Sequence, residues 1–282
     1  MTALSIEDAR EILADRNVIA VGARGDDERR RRHGGRTTFL RVLEAHADAV
    51  PSSLPSSASA GEIRLTGRPA SVAAAIASVK QARALAKDLP LSGFSLFHLL
   101  DLAGGTTAGL AEFSGRLAAA GLQSVSEVPL DVLPSPVDAI RAAREGGLAV
   151  DRLTVTEADE SSRLPLIALA RDVQDAAGGI KAFAPLPRVS SIAQPSTGYD
   201  DVRQVAIARL VVHNIDSIQV DWALYGPKLA QVALTMGADD VDGVSPLEGD
   251  LGRRRSPVEE IRGNIRAAGQ EPVERDGRWS MT

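Results

Sequence analysis

The sequence predicts a single α/β barrel of eight parallel strands, each followed by a helix, behind a short helical lead-in. Three observations carry this expectation. Short β-rich runs alternate with longer amphipathic stretches, the pattern of parallel strands joined by helical crossovers. Eight such runs can be counted, the number that closes a barrel around a side-chain-filled interior. The length, 282 residues, slightly exceeds that of one such barrel and is too short for two comfortable domains.

The strand candidates are Arg36–Val42, Glu62–Gly67, Gly93–Leu100, Leu122–Pro129, Asp151–Glu157, Ile180–Pro187, Ser217–Trp222 and Asp239–Val244. Between them, Pro69–Lys87 repeats Val72, Ile76, Val79, Ala82 and Leu85 at helical steps, which gives it one apolar face. Thr106–Ala120 runs into Gly121, a C-cap residue, and Pro134–Glu145 opens with prolines suited to a first turn. Further helices are expected at Asp159–Ala177, Asp200–Val212, Pro227–Met236 and Pro257–Ala268, the last with Glu259 and Glu260 favourably placed in its first turn. The stretch Ile6–Arg32 reads best as two helices broken near Asn17. Residues 1–35 therefore form the lead-in, and 36–282 form the barrel with its C-terminal helix and tail.

Composition excludes several classes of function. The net charge of −5 and pI near 5.5 provide no global basic field for nucleic acid, and the basic runs at Arg29–Arg32 and Arg253–Arg255 read as solvated surface charge. No apolar stretch reaches membrane-spanning length, and the acidic, amphipathic start MTALSIEDAREIL is unlike a secretory signal, so a cytoplasmic chain is expected. There is no cysteine, which removes disulfides, thiolate nucleophiles and ordinary iron–sulfur ligation together. The four histidines, His33, His46, His98 and His213, show no ligand spacing, and no metal is expected.

In a barrel of this kind, sites form at the C-terminal ends of the strands. The long connection Leu43–Gly61 and the segment Pro187–Gly198 both emerge there. Alternation along the seventh strand puts Gln219 and Asp221 on one face and Val220 and Trp222 on the other. Facing the mouth, Gln219 and Asp221 would offer hydrogen bonds to a polar ligand, with Tyr225 and Lys228 following; the plainer reading makes Gly226-Pro227-Lys228 a helix start. Asp239, Asp240 and Asp242 would bind a hard cation or a ribose diol, or else form a solvated turn and cap. His98 and Asp101 would be a proton-transfer pair if they converge, against a satisfied core histidine. Glu127 and Glu157 are inward-facing acid candidates. Arg188 would clamp a carboxylate or phosphate, or lie on the surface. Gly104-Gly105 and Gly178-Gly179 lack phosphate-loop spacing and read as turns.

The run QVDWALYGPKLAQVALTMGADDVD, Gln219–Asp242, resembles the C-terminal part of the radical S-adenosylmethionine enzymes of the futalosine route to menaquinone, aminofutalosine synthase and dehypoxanthine futalosine cyclase, and also of the deazaflavin-cofactor synthases. DDERRRRHGGRTTFLR, VQDAAGGIKAFAPLP, TGYDDVRQVAIARL and IRAAGQEPVERD extend the likeness along most of the chain, with the weakest stretch between Leu43 and Arg152. The resemblance implies a barrel of the radical S-adenosylmethionine kind. It also implies a CxxxCxxC loop after the first strand, whose thiolates would hold a [4Fe–4S] cluster. Here that position is Leu43–Gly61, where Glu44, His46 and Asp48 are no substitute for three soft ligands. The family's glycine-rich turn for the methionine moiety has its nearest counterpart in GFSLFHLLDLAGG, which does not reproduce it.

The resemblance and this departure together lead us to expect a cluster-less relative within menaquinone biosynthesis that binds neither cluster nor S-adenosylmethionine. Such a chain would act as a non-catalytic binding or regulatory subunit in a homo- or hetero-oligomer, naturally with a cluster-containing paralogue, and would take a nucleoside-like ligand if any. The rival expectation is a non-redox hydrolase, lyase or isomerase that works on a futalosine-like nucleoside in the same mouth.

Overall fold

The structure, a computed structural model, describes residues 4–14, 17–56, 58–189, 198–247 and 257–282. Eight parallel strands close on themselves: β1 (Arg36–His46), β2 (Glu62–Thr66), β3 (Leu91–Ser95), β4 (Ser124–Pro129), β5 (Arg152–Val155), β6 (Ala182–Pro187), β7 (Ser217–Asp221) and β8 (Asp240–Val244). The barrel closes where β1 pairs with both β8 and β2. β2, β3, β5, β6 and β7 are buried along most or all of their length, as parallel strands covered by helices must be.

The lead-in forms two helices, α1 (Ile6–Ala14) and α2 (Val18–His33), and Asn17 caps the second by accepting from the Ala20 amide at 3.1 Å. Around the barrel run α3 (Val72–Ala86), α4 (Leu96–Leu102), α5 (Thr107–Ala120), α6 (Pro136–Glu145), α7 (Glu160–Ala177), α8 (Gly198–Val211), α9 (Trp222–Leu234) and α10 (Pro257–Ala267). Gly121 ends α5 in the left-handed conformation expected of a C-cap. No helix among the described residues is long and apolar enough to cross a membrane.

Three elements differ from the sequence expectation, each for a physical reason. The third strand stops at Ser95 instead of Leu100, because Leu96, Leu99 and Leu100 bury one face at helical spacing and form α4. The first strand continues to His46, so the long connection begins at Ala47 and not at Leu43. A ninth strand, β9 (Glu271–Glu274), pairs in parallel with Arg36–Phe39, the half of β1 that β2 leaves free. Its EPVE sequence has low strand propensity, and Pro272 is tolerated because β9 has a neighbour on one side only.

The lead-in is bound to the barrel by close backbone approach. A Cβ on Gly25 would lie 2.3 Å from the Met236 carbonyl oxygen and 3.1 Å from Ala206 Cα in α8. Beneath it, fully buried Arg209 of α8 donates to the Gly237 and Asp216 carbonyls, each at 2.8 Å, and pairs with Asp239. This one guanidinium ties α8 to the segments entering β7 and β8.

Alanine is the better helix former by roughly 1 kcal/mol in an open helix. Gly25→Ala is nonetheless expected to lower the melting temperature, because the added methyl pushes α2 off Met236. Calorimetry on the variant checks this; a raised melting temperature would mean the close approach is absent.

Candidate active site and the charged barrel interior

The interior of the barrel is charged. Asp242 of β8, with no exposed side chain, accepts from Arg64 of β2 at 2.8 and 3.0 Å and pairs with Arg152, which crosses from β5. Arg64 also donates to Glu62 at 2.8 Å, and Ser92 donates to the same carboxylate. Arg152 bonds the Ser126 carbonyl at 2.8 Å and reaches Gln219 at 3.3 Å. Gln219 in turn donates to Asp240 at 2.7 Å, and Asp240 receives both arms of Arg275, at 2.6 and 2.7 Å, together with the Thr38 hydroxyl. Arg275 follows β9 directly, so the added strand delivers a cation into the lumen. Three arginines therefore balance Glu62, Asp240 and Asp242. The space left among them measures about 30 Å³, room for a water or two.

Burial opposes ionisation of these carboxylates, yet their arginine partners win. Burial would raise Glu62, but Arg64 and the Ser92 hydroxyl hold it below its ordinary range. Asp240 is held low in the same way by Arg275, Gln219 and Thr38. Burial, with the like charges of Arg64 and Arg188, pulls the Arg152 guanidinium downward.

Above this layer lies the C-terminal mouth. Arg188, just past β6, spans two carboxylates there: Glu127 of β4 at 3.1 Å and Asp221 of β7 at 3.4 Å. Asp221 also caps α9, accepting from the Leu224 amide at 3.0 Å. Gly243 has φ +71, and a Cβ there would lie 2.8 Å from Asp221 Oδ1, so glycine is what lets this carboxylate sit over β8. Tyr225 donates its hydroxyl to the Pro187 carbonyl, and burial pushes that phenol upward. The structure thus brings Arg188, Glu127, Asp221 and Tyr225 together, with Gln219 one layer below.

The remaining candidates are placed elsewhere or singly. Lys228 is exposed in α9, beyond the kink at Gly226. His98 lies on α4, tilted against Phe97 with ring centroids 5.9 Å apart, and burial lowers its pKa while Glu127 acts the other way. Asp101 pairs with Arg68. Glu157 is exposed, and its amide is held by Asp131 at 2.8 Å, so it does not face inward. Asp239 is at the opposite end of the barrel, against Arg209 and the Ile218 amide. The three clustered aspartates are buried and ion-paired, in contrast to a solvated turn. Of the segment Pro187–Gly198, residues 190–197 lie outside the described residues, as does the basic run Arg253–Arg255.

Sequence reading missed Glu62, Arg64, Arg152 and Arg275. The available signal was a charged residue inside each of the runs Glu62–Gly67 and Asp151–Glu157, which burial on both faces tolerates only when it is paired.

The connection after β1 is tied down locally. Ala47 donates to the Thr66 carbonyl at 3.0 Å, and Gln81 holds the Val50 carbonyl at 2.7 Å. His46 lies over Gly67, where a Cβ would meet its ring at 2.4 Å. His46 and Asp48 are 3.8 Å apart and more than half exposed. Among the described residues, no group of three or more histidine, aspartate or glutamate side chains converges in a way that could hold a metal ion.

Comparison with known proteins agrees with this architecture. Residues 180–281 match the model of the CofH/MqnC C-terminal region. Aminodeoxyfutalosine synthase of Thermus thermophilus is 37% identical over 124 residues, which are 39% of this chain and 33% of that protein. Over this C-terminal part the chain resembles the CofH/MqnC proteins. Its likeness extends to the 5-amino-6-(D-ribitylamino)uracil–L-tyrosine 4-hydroxyphenyl transferase of Archaeoglobus fulgidus, 34% identical over 132 residues, or 42% of this chain and 38% of that protein. The matched parts thus span well under half the length of these two relatives. Methylornithine synthase shares the barrel, with a TM-score of 0.67 over 96% of this chain and 94% of its own, at 14% identity. The family match covers β6 to β9, where Arg188, Asp221, Asp240, Asp242 and Arg275 lie.

Removing one partner of a buried pair leaves the other charge uncompensated. Arg64→Met is expected to cost about 3–5 kcal/mol in urea unfolding; a loss under about 1 kcal/mol would mean that Asp242 is not held as described. The pH response follows from the depressed carboxylates. The stability they contribute is fully present above the ordinary carboxylate pKa of about 4 and is lost as pH falls through their lower folded values. The urea midpoint should therefore drop on acidification below about pH 4. It should drop less steeply in Asp240→Asn.

Proposed function

We propose that this chain is a cluster-less relative of the futalosine enzymes, working in menaquinone biosynthesis as a non-catalytic binding or regulatory subunit beside a cluster-bearing paralogue. The observation that carries this reading is the donor set at the end of β1. The strand ends with Glu44 and His46, Asp48 follows in the connection, and the whole chain contains no thiolate. A [4Fe–4S] cluster of the radical kind needs three soft ligands, and carboxylates and imidazole do not fit it. The residues present do not suit the group, so no radical step is assigned to this chain and no S-adenosylmethionine site is proposed for it.

The interior supports the same reading. Nucleoside-sized ligands need pockets of roughly 300 Å³ or more, whereas the ion-paired layer leaves about 30 Å³ at the level of Gln219 and Arg152. Any ligand at this end sits above that layer, against Arg188, Glu127 and Asp221. Arg188 already bridges two acids, which suits binding of a polar or anionic group more than turnover. In a pathway setting, such a barrel retains its helical exterior for pairing with the active enzyme.

The experiment is co-purification with the cluster-containing paralogue, followed by assay of that enzyme with and without this chain. The expected result is a complex and altered turnover. A chain that stays alone at high concentration and leaves turnover unchanged contradicts the proposal.

One observation favours a second reading, a non-redox enzyme acting on a futalosine-like nucleoside. Burial lowers the pKa of His98, favouring a neutral imidazole, and Glu127 is among the charges acting on it. If that reading holds, the pure protein turns over nucleoside intermediates, and Asp221→Asn abolishes turnover while preserving the α9 cap, since asparagine caps as well as aspartate. Absence of turnover in the parent protein sinks it.

A further inference from the structure

The opposite end of the barrel, where strands begin, is open. A cavity of about 780 Å³ lies there, between the end of α2, the first residues of β1 and β7, and the turn after β9. This volume falls in the range of small-molecule sites. It is far larger than the space among the ion pairs above it. Five lysine and arginine side chains line it against three carboxylates, in a chain whose net charge is −5.

The balance of charge within this cavity decides its chemistry. Arg31 and Arg32 share a single carboxylate, Glu28, at 2.6 and 2.7 Å, which leaves one positive charge in excess. Asp239 is neutralised by Arg209, and Arg275 by Asp240. Arg36 and Lys181 line the same cavity, both exposed at its lip. The rings of His33 and His213 also line it, His33 within 3.4 Å of Asp239. Among the described residues, Asp216 is the one lining carboxylate with no cation paired to it, so the wall keeps a positive surplus.

The wall also carries a flat aromatic face. Trp279 borders the cavity with the Arg275 guanidinium 3.8 Å from its ring centroid. Its backbone is held at φ +66, a left-handed conformation that a bulky side chain rarely adopts. Strain of this kind persists where the surroundings fix it, here by the Asp276 carboxylate, which accepts from the Arg278 and Ser280 amides at 2.8 and 2.9 Å.

We infer that this N-terminal mouth is a binding site for a phosphate-bearing small molecule with a planar ring, of the nucleoside monophosphate class. Arg36, Lys181 and Arg31 meet the phosphate, and the indole of Trp279 meets the ring. The site is separate from the C-terminal mouth and does not depend on the function proposed for it.

Isothermal titration with AMP, adenosine and inorganic phosphate tests the inference on the full chain. AMP should bind saturably, more tightly than either adenosine or phosphate, and more weakly as salt is raised. Arg36→Glu and Lys181→Glu change exposed side chains, so both should keep the parent melting temperature while weakening AMP by about tenfold or more. Trp279→Ala should weaken AMP but leave inorganic phosphate unchanged. Adenosine or phosphate binding as tightly as AMP, or AMP affinity unmoved by both charge reversals, would overturn it.

Discussion

Asp242 holds this barrel together from the inside. Its carboxylate is fully buried and receives Arg64 from β2 and Arg152 from β5, two strands on different sides of the lumen. Desolvating a charge costs several kcal/mol, so each member of the network is tolerable only because the others are present. Glu62 and Ser92 complete the shell on one side, and Gln219, Asp240 and Arg275 on the other. The interior of the barrel is thus committed to structure.

The network also explains the tail. β9 fills the half of β1 that β2 does not reach and carries Arg275 into position over Asp240. The same guanidinium stacks on Trp279, so the strand, the ion pair and the strained turn form one unit. At the C-terminal mouth, Gly243 makes room for Asp221, which both caps α9 and meets Arg188. Side chains of this sort act by position, and each is fixed by a partner on another element.

Much of the fold was legible in the sequence because parallel strands covered on both faces read as apolar runs between amphipathic helices. The eight barrel strands and the break at Asn17 follow from that pattern alone. The strand-to-helix change at Ser95 was hidden, since the apolar run from Leu91 to Leu102 satisfies either periodicity over so short a span. β9 was hidden because EPVE has low strand propensity and pairs only by tertiary placement. At the site, alternation correctly put Gln219 and Asp221 on one side of β7. No local rule could reveal that Glu127, Arg188 and Asp221, from three strands, converge, or that Asp239 points to the far end of the barrel. The arginines inside strands were the unread clue.

The proposal that this chain holds no iron–sulfur cluster rests on the carboxylates and imidazole around the end of β1, in a sequence without cysteine. Anaerobic reconstitution with iron and sulfide tests it most directly, read by bound iron, acid-labile sulfide and release of 5′-deoxyadenosine from S-adenosylmethionine under reduction. No stoichiometric iron–sulfur content and no 5′-deoxyadenosine are expected. A stable cluster that cleaves S-adenosylmethionine would contradict it.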